Sequence, residues 1–260
     1  MKPAKRRRFR ITRAIMALML REMSTTYGRS PGGYIWVILE QLGILLVLSA
    51  AFSLLLREPS LGTSFILFYA TGFLPFKMYQ DISMKTALCI RFSKPLLGYP
   101  TITFMDALLA RFFLAVLTQV MVSYIILMGI LTFEDTRVIL SFQPMLVAMS
   151  MAALFGIAIG ALNAVLFDFF PIWKTAFNVA TRPLLLASGV IFLLEDLPEQ
   201  VQAFLWYNPL IHIIGVMRQG FYPFYSPDYV SYAYVCSVSL IILVFGIVLL
   251  RKNYRTLVQL

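Results

Sequence analysis

Four charged residues interrupt long apolar runs: Glu40, Asp106, Arg111 and Arg182. A charge at the centre of a membrane helix costs about 2.5 to 3.5 kcal/mol on insertion scales. Each therefore needs a partner, a place near the interface or a wet surface. At about 1.5 Å of rise per residue, Glu40 and Arg111 fall at similar depth, roughly 10 Å from one end of their runs. The expectation is a Glu40–Arg111 structural ion pair. Asp106 lies near the end of its run and needs no special partner. Arg182 falls near the middle of its run, just before Pro183. It either pairs or faces a wet path for anions, and the residues leave both open.

Other reactive side chains are sparse. His212 is the single histidine, which excludes a histidine-rich metal site. A lone histidine in an apolar helix is more often a hydrogen-bonded structural residue than a proton carrier. Cys89 and Cys236 are far apart and match no metal or redox spacing, so they read as apolar filler. No paired carboxylates, nucleophile triad or metal cluster stands out, and no G-x-x-x-x-G-K-[ST] phosphate loop occurs. The chain is poorly equipped as an enzyme. Aromatic residues make up 15 % of it. Many suit the belts at membrane interfaces. Tyr34, Trp36, Trp173 and Tyr207 also suit a route for sugars, whose apolar faces rest on rings.

The elements that must position these residues follow from hydropathy. The chain has 260 residues, 60 % hydrophobic and 13 % charged, with a net charge of +10. Its mean hydropathy is +0.82. That describes an all-α polytopic membrane protein rather than a soluble domain. One domain is expected over 1–260. Residues 1–33 read as a basic interfacial helix and linker, carrying nine Lys or Arg against Glu22. Ile11, Ile15, Leu18 and Glu22 fall on one side of that helix; Arg10, Arg13, Ala17, Arg21 and Ser24 fall on another. Residues 14–20 imitate a signal peptide, but no small-residue cleavage site follows them.

Six spans are expected, at 34–56, 62–80, 105–132, 144–167, 172–194 and 229–250, with a tail at 251–260. The stretch 81–104 reads as a polar connection with a short helix within 90–100, ended by Lys94-Pro95 or by Gly98. The segment 195–228 is too apolar for a loop and too broken for a span. Two half-length helices, 198–207 and 210–222, are separated by Asn208-Pro209, because proline disfavours helical angles in the residue before it. They fit a hairpin that dips into the membrane and borders a path; they also fit a helical cap lying flat on the surface. Gly156 and Gly160 form a G-x-x-x-G pattern, read as packing within one subunit rather than dimerisation.

Basic residues set the orientation. Six spans put both termini on one side, with Lys85, Arg91, Lys94, Lys174, Arg251, Lys252 and Arg255. The other side receives Arg57, Arg137 and Arg218 among Glu58, Glu134, Asp135, Glu195, Asp196, Glu199 and Asp228. Both termini are therefore expected in the cytoplasm and the hairpin on the outside.

Four stretches resemble the polysaccharide-export branch of the ABC exporter permeases. They are RE-x-x-x-x-YGRS-x-x-GYIW at 21–36, LLGYP followed by DALLAR at 96–111, RP-x-x-x-x-SG at 182–189, and NP-x-x-H-x-x-x-x-x-R at 208–218. The likeness is strongest to capsule polysaccharide export permeases of the KpsM type in Gram-negative bacteria. The resemblance implies a homodimer in the bacterial inner membrane, with a separate ATPase subunit on each copy binding ATP and Mg. It implies a lipid-linked anionic polysaccharide as cargo, with a periplasmic co-polymerase adaptor and an outer-membrane export pore as further partners. Membrane lipids are partners as well; nucleic acid is not. O-antigen and teichoic-acid exporter permeases are the nearest alternative, and a multidrug permease or a passive channel a more distant one.

The expected substrate path comprises Arg10, Arg13, Arg21, Tyr27, Arg29, Tyr34, Trp36, Trp173, Arg182, Tyr207, His212 and Arg218. Without a phosphate loop of its own, the chain must receive energy from the partner. The protruding connection at 85–100 is the expected contact, with Ile90, Phe92, Leu96 and Leu97 as apolar anchors and Arg91 and Lys94 as charges.

Overall fold

The computed structural model describes residues 10–27, 32–97, 102–134 and 138–259. Every element among them is helical. The order is α1 (Arg10–Glu22), a π-helical turn (Met23–Tyr27), α2 (Gly33–Leu55), α3 (Phe65–Ala87), α4 (Cys89–Leu97), α5 (Phe104–Phe133), α6 (Phe142–Phe169) and α7 (Pro171–Ala187). A short 3-10 turn (Leu194–Asp196), α8 (Glu199–Leu205), α9 (Pro209–Gln219) and α10 (Tyr232–Gln259) complete it. Among the described residues, four helices are long and apolar enough to cross a membrane: Gly33–Leu55, Phe104–Phe133, Phe142–Phe169 and Tyr232–Tyr254.

The core is the contact between α3 and α6, flanked by α5, α9 and α10. Small residues let the two backbones approach. A Cβ on Gly160 would lie 1.6 Å from Thr86 Oγ1, and one on Gly156 would lie 2.9 Å from the Ile82 side chain. The G-x-x-x-G pair is therefore spent inside the subunit, as expected. Tyr79 stacks on Phe155 beside it, with ring centres 4.9 Å apart. Two buried hydroxyls of α3 bond within their own helix: Thr71 donates to the Phe68 carbonyl and Thr86 to the Ile82 carbonyl.

Three boundaries differ from the sequence expectation. The second long helix does not stop at Gln80; α3 runs to Ala87 and carries Lys77, Asp81 and Lys85. Its charges are tolerated because neighbouring helices supply partners: Lys77 meets Glu40 and Asp81, and Gln119 donates to Asp81. The expected fifth span ends early, at Ala187. Gly189 there adopts φ 75°, a left-handed conformation that glycine accepts without strain. Val190, Leu193 and Leu194 then bury themselves as an irregular return rather than as helix. In contrast, α10 continues past Leu250 to Gln259, since Arg251 and Lys252 are exposed and do not oppose helix. Helix α4 passes through Pro95 and ends at Leu97, before Gly98.

Candidate functional site

Two ends of the bundle hold the residues of interest. The end that carries α4 is the base; the end that carries α8 and α9 is the cap.

At the base, Arg111 of α5 meets Glu22 at the close of α1. Its Nη2 donates to Glu22 Oε1 at 2.8 Å, and its Nε donates to the same carboxylate at 3.0 Å. Its Nη1 donates to the Lys85 carbonyl at 3.0 Å. Glu22 is 4 % exposed and Arg111 8 %. Two-pronged guanidinium–carboxylate contacts of this kind are strong and directional. The Arg111 guanidinium also lies 4.3 Å from the centre of the Phe92 ring, and that of Arg21 lies 5.7 Å from the same ring. One cluster thus ties α1, α3, α4 and α5 together.

This corrects the expected Glu40–Arg111 pair. Matching depth was the only ground for it, and depth does not fix which face a side chain takes. Glu40 instead pairs with Lys77 at 3.2 Å, and Lys77 lies 3.5 Å from Asp81. Gln119 donates to Asp81, and Gln41 donates to Gln119 at 3.0 Å. This polar chain joins α2, α3 and α5. Asp106 behaves as expected, since it only closes a reciprocal cap with Thr103 at the start of α5.

The face that α4 offers outward also differs from expectation. Ile90 is buried with Cys89, Leu108, Ala164, Val165 and Leu250. Leu96 packs toward Leu18, Met19, Ala110 and Leu114, and Leu97 toward the Ile90 cluster. Phe92 is half-buried under the two arginines. The apolar anchors face inward because α1, α5 and α10 lie against α4 and cover them. What remains exposed is Arg91, Lys94 and Pro95. Arg91 forms an ion pair with Asp168 in the last turn of α6 and donates to the Phe167 carbonyl at 3.2 Å. A cleft of about 430 Å³ lies between Arg91, Lys94, Asp168 and Leu257.

At the cap, Asn208 caps α9 by accepting from the Leu210 amide at 3.1 Å. Its amide nitrogen donates to the Ala187 carbonyl at 3.0 Å, which fastens the hairpin to the end of α7. Every residue of α9 from 210 to 218 is buried, whereas α8 buries none. His212 accepts at Nδ1 from the Ser231 amide at 3.3 Å and donates from Nε2 to the Trp206 carbonyl at 2.8 Å. Those two bonds define the neutral tautomer and occupy both ring nitrogens. Arg218 is 1 % exposed. Its two terminal nitrogens donate to the Phe192 and Val190 carbonyls at 2.9 and 3.0 Å, and its guanidinium sits 4.3 Å over the Phe68 ring. His212 and Arg218 are thus braces within the core and line no open surface.

The remaining expected path residues are scattered. Arg13, Trp36, Trp173, Arg182 and Tyr207 are exposed, and Tyr34 and Arg21 are half-buried. Trp173 donates to Asn163 at 3.0 Å. Tyr207 borders a cavity of about 570 Å³ between α7 and the hairpin, which Tyr79, Phe155, Leu184, Phe204 and Asn208 also line. Arg29 and the side chains of Arg10 and Tyr27 lie outside the described residues. Sequence reasoning missed Glu22, Lys77, Asp81, Gln119 and Asp168 as partners. Glu22 was visible inside the RE motif; nothing in the spacing marks the others.

Comparison with known proteins covers nearly the whole chain. Polysialic acid transport protein KpsM of Escherichia coli is 28 % identical over 239 residues, 92 % of this chain and 93 % of that protein. Capsule polysaccharide export inner-membrane protein CtrC of Neisseria meningitidis serogroup B is 25 % identical over 92 % of this chain and 91 % of its own. Capsule polysaccharide export inner-membrane protein BexB of Haemophilus influenzae is likewise 25 % identical, with the same shares covered. The family model for the ABC-2 type transporter matches residues 13–222. The chain belongs to the ABC-2 type transporter membrane family.

Proposed function

We propose that the chain is the membrane permease subunit of an ATP-driven exporter that carries capsular polysaccharide across the bacterial inner membrane. The observation that carries this reading is the likeness over 92 % of the chain to three proteins named for polysialic acid transport or capsule polysaccharide export, two of them named as inner-membrane proteins. The cargo is a lipid-linked acidic glycan. The chain forms one transmembrane unit in which α2, α3, α5, α6, α7 and α10 cross the bilayer. Both termini and the base lie in the cytoplasm, and the cap faces outward as a re-entrant hairpin. The excess of Lys and Arg on the side of the termini supports that orientation.

ATP and Mg are bound by a separate ATPase subunit, one on each of two permease copies. The exposed edge of α4, with Arg91, Lys94 and the cleft they share with Asp168, supports the base as its docking surface. The buried side chains of Ile90, Leu96 and Leu97 act indirectly, by fixing α4 on the bundle. Glu22, Arg111 and Phe92 join that docking helix to the interfacial helix, so movement of α4 moves α1. A periplasmic adaptor and an outer-membrane pore continue the route.

Deletion of the gene tests this reading. Polysaccharide should accumulate in the cytoplasm and vanish from the cell surface, and the wild-type gene should restore it. Unchanged surface polysaccharide in the deletion strain contradicts the proposal.

A further inference from the structure

Two flanks of the bundle, on α2 and on α7, each carry a charge that the ion pairs among the described residues leave unbalanced. On α2, Glu40 shares the single ammonium of Lys77 with Asp81. Two carboxylates and one ammonium leave one negative charge in excess. Gln119 and Gln41 extend the cluster with neutral amides and leave that sum unchanged. The Glu40 side chain is 62 % exposed. Trp36, Ile44 and Val47, at helical spacing from it, are exposed too.

On α7, Arg182 is exposed and forms no ion pair or side-chain hydrogen bond among the described residues. It shares a stripe with Lys174 and Asn178, four residues apart in turn. Thr181 is the one buried residue of the whole helix. This flank carries an unbalanced positive charge.

The two positions lie at comparable depth. Both α2 and α7 start at the base. Glu40 is seven residues into α2 and Arg182 eleven into α7, which places them about 10 and about 16 Å from those starts. A guanidinium on its extended side chain spans the difference. Within one chain they do not pair: Glu40 meets Lys77, and Arg182 forms no ion pair among the described residues. Left facing lipid, each charge is costly.

We propose that Glu40 of one copy pairs with Arg182 of a second copy of this chain, across an interface between α2 and α7. The inference rests on the dimeric permease reading. A two-fold axis makes the contact twice, since residue i meets residue j and j meets i. Each excess carboxylate then receives one excess guanidinium, and the polar chain from Gln41 to Glu40 ends on the partner subunit rather than in lipid.

Cysteine cross-linking tests the pair directly. In a background with Cys89→Ala and Cys236→Ala, a chain with Glu40→Cys is co-expressed with a differently tagged chain carrying Arg182→Cys. A bifunctional maleimide with a linker as long as the two native side chains, used because a direct disulfide needs Cα atoms within about 7 Å, should convert most of the mixed pairs to covalent dimers, and either chain expressed alone should stay monomeric on the gel. Tagged copies that co-purify without cross-linking overturn the pair and leave the dimer standing; Arg182 then faces the anionic cargo. Copies that never co-purify overturn the pair together with the dimer. Charge removal supplies a second measurement. Glu40→Gln or Arg182→Gln should each lower co-purification about tenfold, and the double variant should fall no further than the worse single, because neither charge is left orphaned. Losses that multiply in the double variant count against the pair.

Discussion

Helices α6 and α7 are separated by one residue, Phe170, yet they are packed in opposite ways. Helix α6 is packed from Ala148 to Phe167 against α3, α9 and α10, with glycine and alanine at the closest approaches. Helix α7 fully buries only Thr181, packs Leu184 and Leu185 against the core, and shows Ile172, Trp173, Val179 and Leu186 together with Arg182. The contrast separates two jobs. The centre of the bundle is completed by the chain's own contacts, and its packing is specific to the ångström. The flank is left for another surface, be it lipid, cargo or a second copy. Substitutions should therefore be felt as folding defects at the centre and as assembly or transport defects at the flank.

Gly160→Leu should give the largest effect. Even a single Cβ would collide with Thr86 and the Ser83 carbonyl, and backbone cannot yield cheaply. The expected outcome is loss of folded protein in detergent, read by size-exclusion chromatography. Val179→Ala on the bare face of α7 is its control and should move stability by less than about 0.5 kcal/mol. A folded, monodisperse Gly160→Leu protein would break the claim that α3 and α6 interlock.

A smaller effect is expected at the base. Glu22→Gln removes the charge that Arg111 is buried against, which costs roughly 3–5 kcal/mol in comparable buried pairs. A lower unfolding temperature should appear with looser attachment of α1, seen as faster proteolysis near Glu22. The joint change Glu22→Gln with Arg111→Met should be milder than Glu22→Gln alone, because no charge is then left unpaired. If the single change leaves both stability and proteolysis as they were, the cluster does not hold α1 to the bundle.

The same contrast explains how much the sequence disclosed. The long apolar helices were legible: α2, α5 and α6 stand within a few residues of where hydropathy puts them, and α10 does so at its start. The existence of α3 was legible too, but its end was not, because a buried helix can carry Asp81 and Lys85 once it packs against its neighbours, and a hydropathy window counts only the charges. The end of α7 was missed because Val190, Leu193 and Leu194 are as apolar as a span but are buried as an irregular return held by Arg218. The hairpin break at Asn208-Pro209 was legible, since proline chemistry is local. Its role was not, because periodicity does not reveal that α9 is covered on every side. For the site, the sequence singled out Glu40 and Arg111 as charges in need of partners, assigned one wrong pair and missed Lys77 and Asp81. Depth along a helix follows from counting residues, whereas the facing direction depends on the tertiary contacts of α1 and α3.

The central claim is that this chain moves acidic glycan across the membrane with energy from a separate ATPase. The most direct measurement is uptake of labelled lipid-linked acidic polysaccharide into inverted membrane vesicles that contain this chain and its ATPase subunit. The account predicts protected glycan in the vesicle lumen that requires ATP, Mg and both proteins, and that falls away with Arg91→Glu and Lys94→Glu together. Uptake that proceeds equally without this chain, or without ATP, would contradict it.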